Sequence, residues 1–143
     1  MDVARPRDEV FAFFSEAENL GRITPPELGF RIHTPLPIAM ASGTLIEYTL
    51  TLYGVPIRWR TRIATWGPPD VFVDEQISGP YKTWVHTHRF SDIPGGTRID
   101  DQVVYELPFG VLGTIVAPLV RRQIARIFAF REKEVRRLLG GEA

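Results

Sequence analysis

The sequence predicts an α+β fold: a curved antiparallel sheet wrapped around a long C-terminal helix, with two short helices near the N-terminus. Three observations carry this prediction. Between residues 44 and 107, successive stretches alternate apolar and polar side chains with the period of two expected of strands wet on one face. Proline and glycine clusters at Gly54 and Pro56, Pro68-Pro69, Gly79-Pro80 and Pro94-Gly95-Gly96 separate those stretches, which favours short hairpin links and antiparallel neighbours. From about Leu112 onward the period changes to that of a helix. The chain of 143 residues fits a single domain over residues 1–143.

Taken in order, Pro6-Arg7-Asp8-Glu9 reads as a helix start, because proline suits the first turn and acids there complement the helix dipole. Val10, Phe11, Phe13 and Phe14 supply its apolar face, and a short second helix is expected from Asn19 to Ile23. Leu28 to Thr34 is expected to be a strand. In Thr44 to Tyr53, Ile46, Tyr48, Leu50 and Leu52 share one face. In Ile57 to Trp66, Ile57, Trp59, Thr61 and Ile63 face one way, and Arg58, Arg60 and Arg62 face the other, where they are expected to meet Glu47 and Asp74. Val71 to Ser78, Tyr81 to Ser91 and Thr97 to Leu107 complete the sheet.

In the last segment Leu112, Ile115, Val116, Leu119, Val120, Ile124, Ile127, Val135 and Leu138 fall close to a helical period. Pro118 is expected to start or kink the main helix, and Gly140-Gly141 to stop it. Pro108 to Gly113, with glycines at 110 and 113 bracketing apolar residues, reads either as a mobile lip over a cleft or, in preference, as a place where Phe109 plugs the core. Only this last helix is long enough to cover the sheet's apolar face, and a cleft between the two is a common place for small ligands.

Composition narrows the function classes. Seventeen basic and 17 acidic residues balance, so no global field draws the chain to nucleic acid. With no cysteine there is no disulfide, thiolate nucleophile or thiolate metal site. No stretch has the apolar length of a membrane span, and the first residues carry no signal-peptide pattern, so a cytoplasmic location is expected. Phosphate loops, nucleophile elbows and zinc-protease helices are lacking too, which leaves no expected cofactor.

The residues then become recognisable as a set. Val10-Phe11-Ala12-Phe13-Phe14, Ile23-Thr24-Pro25-Pro26, Gly54-Val55-Pro56 with Trp59, Phe72-Val73-Asp74-Glu75-Gln76, Gly79-Pro80-Tyr81, Trp84-Val85-His86-Thr87-His88-Arg89-Phe90, Asp101-Gln102-Val103-Val104-Tyr105, Pro108-Phe109-Gly110, Ile127-Phe128 and Arg131 together resemble the START-like, helix-grip superfamily called SRPBCC. The nearest branch looks like the bacterial cyclase/dehydrase or ligand-binding SRPBCC proteins. The resemblance covers nearly the whole chain. It implies a cavity for a small hydrophobic molecule, without fixing whether the guest is carried or transformed. Members usually begin with an edge strand. Here only Met1 to Arg5 precede Pro6, so that strand is very short or missing, and an exposed edge would favour a homodimer.

The most informative run is Trp84 to Phe90. Trp84, His86, His88 and Phe90 share a face, and the aromatic face should be the inner one. On the next strand Ile99, Asp101, Val103, Tyr105 and Leu107 share a face, which brings Asp101 and Tyr105 inward. On the preceding strand Val71, Val73, Glu75 and Ile77 read as the apolar face, which would bring Glu75 inward. Tyr48 and Trp59 join from their own strands, and Ile124 and Ile127 from the helix. Inward carboxylates beside inward imidazoles are costly unless paired. Three roles stay open for this group: a hydrogen-bonded set that fixes strand register, the polar end of a ligand cavity, or an acid–base pair of His86 or His88 with Asp101 serving aldol cyclisation and dehydration. His-x-His with Asp101 has the make-up of a metal triad, but the resemblance implies cavities without metals, and none is expected. His33 reads as a surface residue.

The function expected is therefore binding or carriage of a lipid, quinone or polyketide-like compound, with cyclase/dehydratase chemistry as the alternative. A further alternative is an interaction module acting through Arg121, Arg122, Arg126, Arg131, Lys133, Arg136 and Arg137, including weak contact with an anionic membrane.

Overall fold

A computed structural model of the chain describes residues 1–140; Gly141, half of the expected stop signal, lies outside the described residues. The elements run β1 (Asp2–Val3), α1 (Arg7–Ser15), α2 (Asn19–Arg22), a 3₁₀ turn (Pro26–Leu28), β2 (Arg31–Ile32), β3 (Leu45–Leu52), β4 (Val55–Gly67), β5 (Val71–Ser78), β6 (Thr83–Ile93), β7 (Gly96–Glu106) and α3 (Val111–Leu139). The strands form one antiparallel sheet in the order β1-β7-β6-β5-β4-β3-β2. The α+β architecture expected from the sequence is the one observed.

Local chemistry explains the boundaries. Tyr53 and Gly54 both adopt positive φ, as a two-residue hairpin between β3 and β4 requires. The strand expected over Leu28 to Thr34 contracts to Arg31–Ile32. Pro25 and Pro26 set up the 3₁₀ turn, and Gly29 ends it in the left-handed region, which uses up the start of the segment. The edge strand before α1 is present but only two residues long, and it pairs with Arg98 and Thr97 of β7.

One register needs correcting. On β5 the inner face is Phe72 and Asp74, not Val71, Val73, Glu75 and Ile77. Antiparallel partners share a face, and Phe72 lies opposite His88 while Asp74 lies opposite His86 and Ile63. Glu75 therefore points outward, where it accepts from Arg62. The arginine row accordingly meets Glu47, through Arg58 and Arg60, and Glu75 rather than Asp74.

The helix α3 is continuous through Pro118. The carbonyl that proline leaves unbonded belongs to exposed Thr114, where water can satisfy it. Its inner face is Gly113, Ala117, Val120, Ile124, Ile127, Phe128, Arg131 and Val135. Leu112, Ile115, Val116 and Leu119, read from the sequence as part of the same apolar face, lie on the opposite, exposed one. Phe109 is not a core plug: it is 80% exposed, on a left-handed turn before the helix. Gly113 is required where α3 begins, because a Cβ there would stand 2.6 Å from the Pro108 carbonyl.

Two apolar clusters hold the layers together. Val3, Val10, Phe11, Ile23, Phe72, Phe90, Ile99 and Val135 join α1 and the C-terminal half of α3 to the sheet. Ile46, Tyr48, Trp59 and Ile63 form the second cluster, on β3 and β4. Each fully buried large side chain contributes roughly 1.5–3 kcal/mol. No helix among the described residues is long and apolar enough to cross a membrane.

Candidate functional site

The concave face of the sheet and the inner face of α3 enclose a cavity of about 150 Å³. Strands β3 to β6 supply Tyr48, Trp59, Phe72, Asp74, Trp84, His86 and His88 to its wall, and α3 supplies Ile124, Ile127, Phe128 and Arg131. Trp59 is central to the aromatic part, stacked with Tyr48 at 5.8 Å and edge-on to Trp84 at 5.5 Å.

One wall is polar. His86 Nε2 donates to Asp101 Oδ1 at 2.9 Å, and His88 Nε2 donates to Asp74 Oδ2 at 2.6 Å. The two imidazoles are tilted by 33° with centroids 3.7 Å apart, and His88 is stacked on Phe72 at 4.0 Å. His88 Nδ1 is 3.0 Å from Asp101 Oδ1 but off the line a hydrogen bond needs, and it makes none among the described residues. Both histidines are buried.

The electrostatics follow from this closure. Burial alone would raise both carboxyls, but the imidazoles outweigh it and hold Asp74 and Asp101 below the usual carboxylate range. Burial and the neighbouring His88 push His86 below the ordinary imidazole value. For His88, burial acts the same way, yet the carboxylates of Asp101 and Asp74 prevail and raise it. Of the two imidazoles of this quartet, His88, between two carboxylates, is the one whose charged form the site favours more. The Tyr48 phenol, pushed up by burial, stays neutral and meets Thr61 Oγ1 at 3.2 Å.

Arg131 reaches the same wall from α3. Its guanidinium carbon lies 5.0 Å from the Phe128 ring centroid, and its buried Nε has no acceptor among the described residues. The indole N–H of Trp59, also buried in the cavity wall, has none there either. Two other polar side chains of the lining are already used: Asn19 donates to the Phe13 carbonyl and Thr24 to the Leu20 carbonyl.

Asp74, His86 and His88 have ligand atoms within 4.8 Å of one another, the composition of a divalent-metal site. Their arrangement fits that use poorly. Both Nε2 atoms are already engaged by carboxylates, His86 by Asp101 and His88 by Asp74.

Of the residues singled out from the sequence, Tyr48, Trp59, Trp84, His86, His88, Ile124 and Ile127 lie on the cavity wall. Asp101 stands behind the histidines as their partner. Tyr105 packs on Trp84 and Tyr81, on the inner face but beside the cavity. Glu75 lies on the outer face of the sheet. Sequence reasoning missed Asp74, which pairing opposite His86 would have revealed, and assigned Arg131 to a solvated basic face. The i, i+4 and i+7 spacing of Ile124, Phe128 and Arg131 was the available signal for its inward position.

A family model described as polyketide cyclase / dehydrase and lipid transport matches residues 3–129. A search of curated proteins gives no match. Among solved structures, a protein from Chromobacterium violaceum superposes with a TM-score of 0.74 at 11% identity, covering 99% of this chain and 95% of that one. A protein from Thermus thermophilus gives 0.70 at 18% identity, with 94% and 90% covered. A START superfamily protein from Mycobacterium smegmatis gives 0.70 at 15% identity, with 96% and 94% covered. These likenesses establish the fold, and the family match establishes lineage: the chain belongs to the polyketide cyclase/dehydrase and lipid-transport family of helix-grip, START-like proteins.

Proposed function

We propose that the chain binds a small, ring-bearing, mainly apolar molecule that carries an acceptor oxygen at one end. The observation that supports this most is the pair of buried donors on the cavity wall, Trp59 Nε1–H and Arg131 Nε–H, for which the described residues offer no acceptor. An unmet buried donor costs roughly 1–3 kcal/mol, and a guest with a carbonyl, phenolate or carboxylate oxygen recovers it. The aromatic wall of Tyr48, Trp59 and Trp84 and the aliphatic Ile124 and Ile127 suit a flat ring system. Lipids, quinones and polyketide-like compounds all contain guests of this kind.

Tryptophan quenching by 2-naphthoate and by 2-methylnaphthalene tests the reading. The naphthoate should bind saturably, and Arg131→Met should weaken it by about tenfold or more, as expected for a lost charge-assisted hydrogen bond. The hydrocarbon should ignore the substitution. Equal affinity of both probes, or no saturation by either, contradicts the proposal.

A second reading rests on the quartet. His86 held by Asp101 and His88 held by Asp74, adjacent and shifted in opposite directions, make a candidate base–acid pair on the wall of a mainly apolar site. In a cyclisation, one imidazole would take a proton from carbon next to a carbonyl, and the other would protonate the departing hydroxyl. His86→Gln and His88→Gln should then abolish turnover of a poly-β-keto substrate while still quenching with naphthoate. Retained turnover would leave binding as the function.

A further inference from the structure

The outer face of the first half of α3 is apolar, and nothing among the described residues covers it. Phe109, Val111, Leu112 and Ile115 are 80%, 79%, 67% and 71% exposed, and Val116 and Leu119 continue the patch. Tyr53 and Val55, at the tip of the β3–β4 hairpin, are also exposed, and the Tyr53 hydroxyl reaches the Leu119 carbonyl at 3.4 Å, so helix and hairpin present one surface. A contiguous apolar patch of this kind on a solvent-facing surface marks a site of contact.

The charge pattern says what the contact is. From Leu107 to Arg131 there is no acidic residue, although acids and bases balance over the chain as a whole. Val111, Ile115 and Leu119 recur at the spacing of one helix face, and Arg122 and Arg126 continue that same face. The stripe therefore runs from apolar to basic along the helix. Arg126 is paired with Glu27, whereas Arg121 and Arg122 have no carboxylate partner among the described residues. An apolar end followed by unpaired arginines matches an anionic bilayer surface, with the apolar residues among the acyl chains and the arginines at the headgroups. A second copy of the chain matches less well, because a two-fold contact would set the basic stretch against itself with no carboxylate on it to meet the arginines.

We propose that the loop at Phe109 and the first half of α3, with the β3–β4 hairpin tip, form a docking surface for an anionic lipid bilayer. The surface is separate from the quartet, and the proposal holds whatever the cavity takes. Bilayer docking would set the helix that roofs the cavity directly on a source or sink of apolar molecules.

Co-sedimentation of the full chain with vesicles of phosphatidylcholine alone, or with about a third phosphatidylglycerol, tests it. The wild type should bind the anionic vesicles about tenfold or more better than the neutral ones, and salt should weaken the difference. Arg121→Glu with Arg122→Glu should erase the preference. Ile115→Glu with Leu119→Glu should remove binding to both, with an unchanged melting temperature because both side chains are exposed. If that pair disturbs the fold, Leu112→Ser gives the same reading through a smaller loss. No vesicle binding by the wild type overturns the proposal. So does a concentration-dependent dimer, by sedimentation velocity, that Ile115→Glu with Leu119→Glu dissociates.

Discussion

Within the quartet, two histidines of like sequence environment carry opposite pKa shifts. His88, raised by Asp101 and Asp74 against burial, contributes stability that is complete below the ordinary imidazole value of 6.5 and is lost as pH rises through its folded value. His86, lowered by burial and by His88, has the opposite sign and costs stability as pH falls below 6.5. The two partly cancel in the wild type. His86→Gln removes one side of the balance, so its melting temperature should fall more steeply than that of the wild type between about pH 6 and pH 8, as followed by circular dichroism. Asp74 and Asp101, held low, add stability above 3.8 that is lost as pH falls through their still lower folded values. The inward face of the histidines was legible from the aromatic alternation of β6, and that of Asp101 from the apolar alternation of β7. Their protonation was not, because it depends on which carboxylates close around them in space.

The strand β5 shows where reading a single element fails. Both of its faces carry apolar residues, Val71, Val73 and Ile77 on one and Phe72 on the other, so alternation alone chose the wrong one. Pairing decides the register, and it exchanges Glu75 for Asp74 at the site. A matched pair of substitutions measures that difference in urea unfolding. Asp74→Asn breaks a buried ion pair and should cost about 3 kcal/mol, whereas Glu75→Gln removes a surface partner of Arg62 and should cost less than about 1 kcal/mol. The edge next to β1 is equally specific. A Cβ on Gly96 would stand 2.1 Å from the Val3 carbonyl. Gly96→Ala should therefore displace β1 and speed amide exchange at Ile99, which donates to the Met1 carbonyl. The helix α3 was legible as a helix but not in its orientation. Its sequence is apolar on two faces, and only the exposure of Ile115 and Leu119 separates the face on the sheet from the outer one.

For the whole molecule, the architecture followed from the change of period between the strands and the last helix. What the sequence could not convey was the hydrogen-bond deficit, since an unmet donor is defined by everything that surrounds it. Trp59 and Arg131 come from β4 and α3, far apart in sequence, and line one cavity only in the folded chain. That deficit is the basis for expecting a guest, and native mass spectrometry of the protein purified from the cells that produce it addresses the guest directly. The account predicts an added small-molecule mass on the intact chain, absent when Ile127→Trp fills the cavity. The bare chain mass in every charge state, from gently handled and fully folded protein, would contradict it.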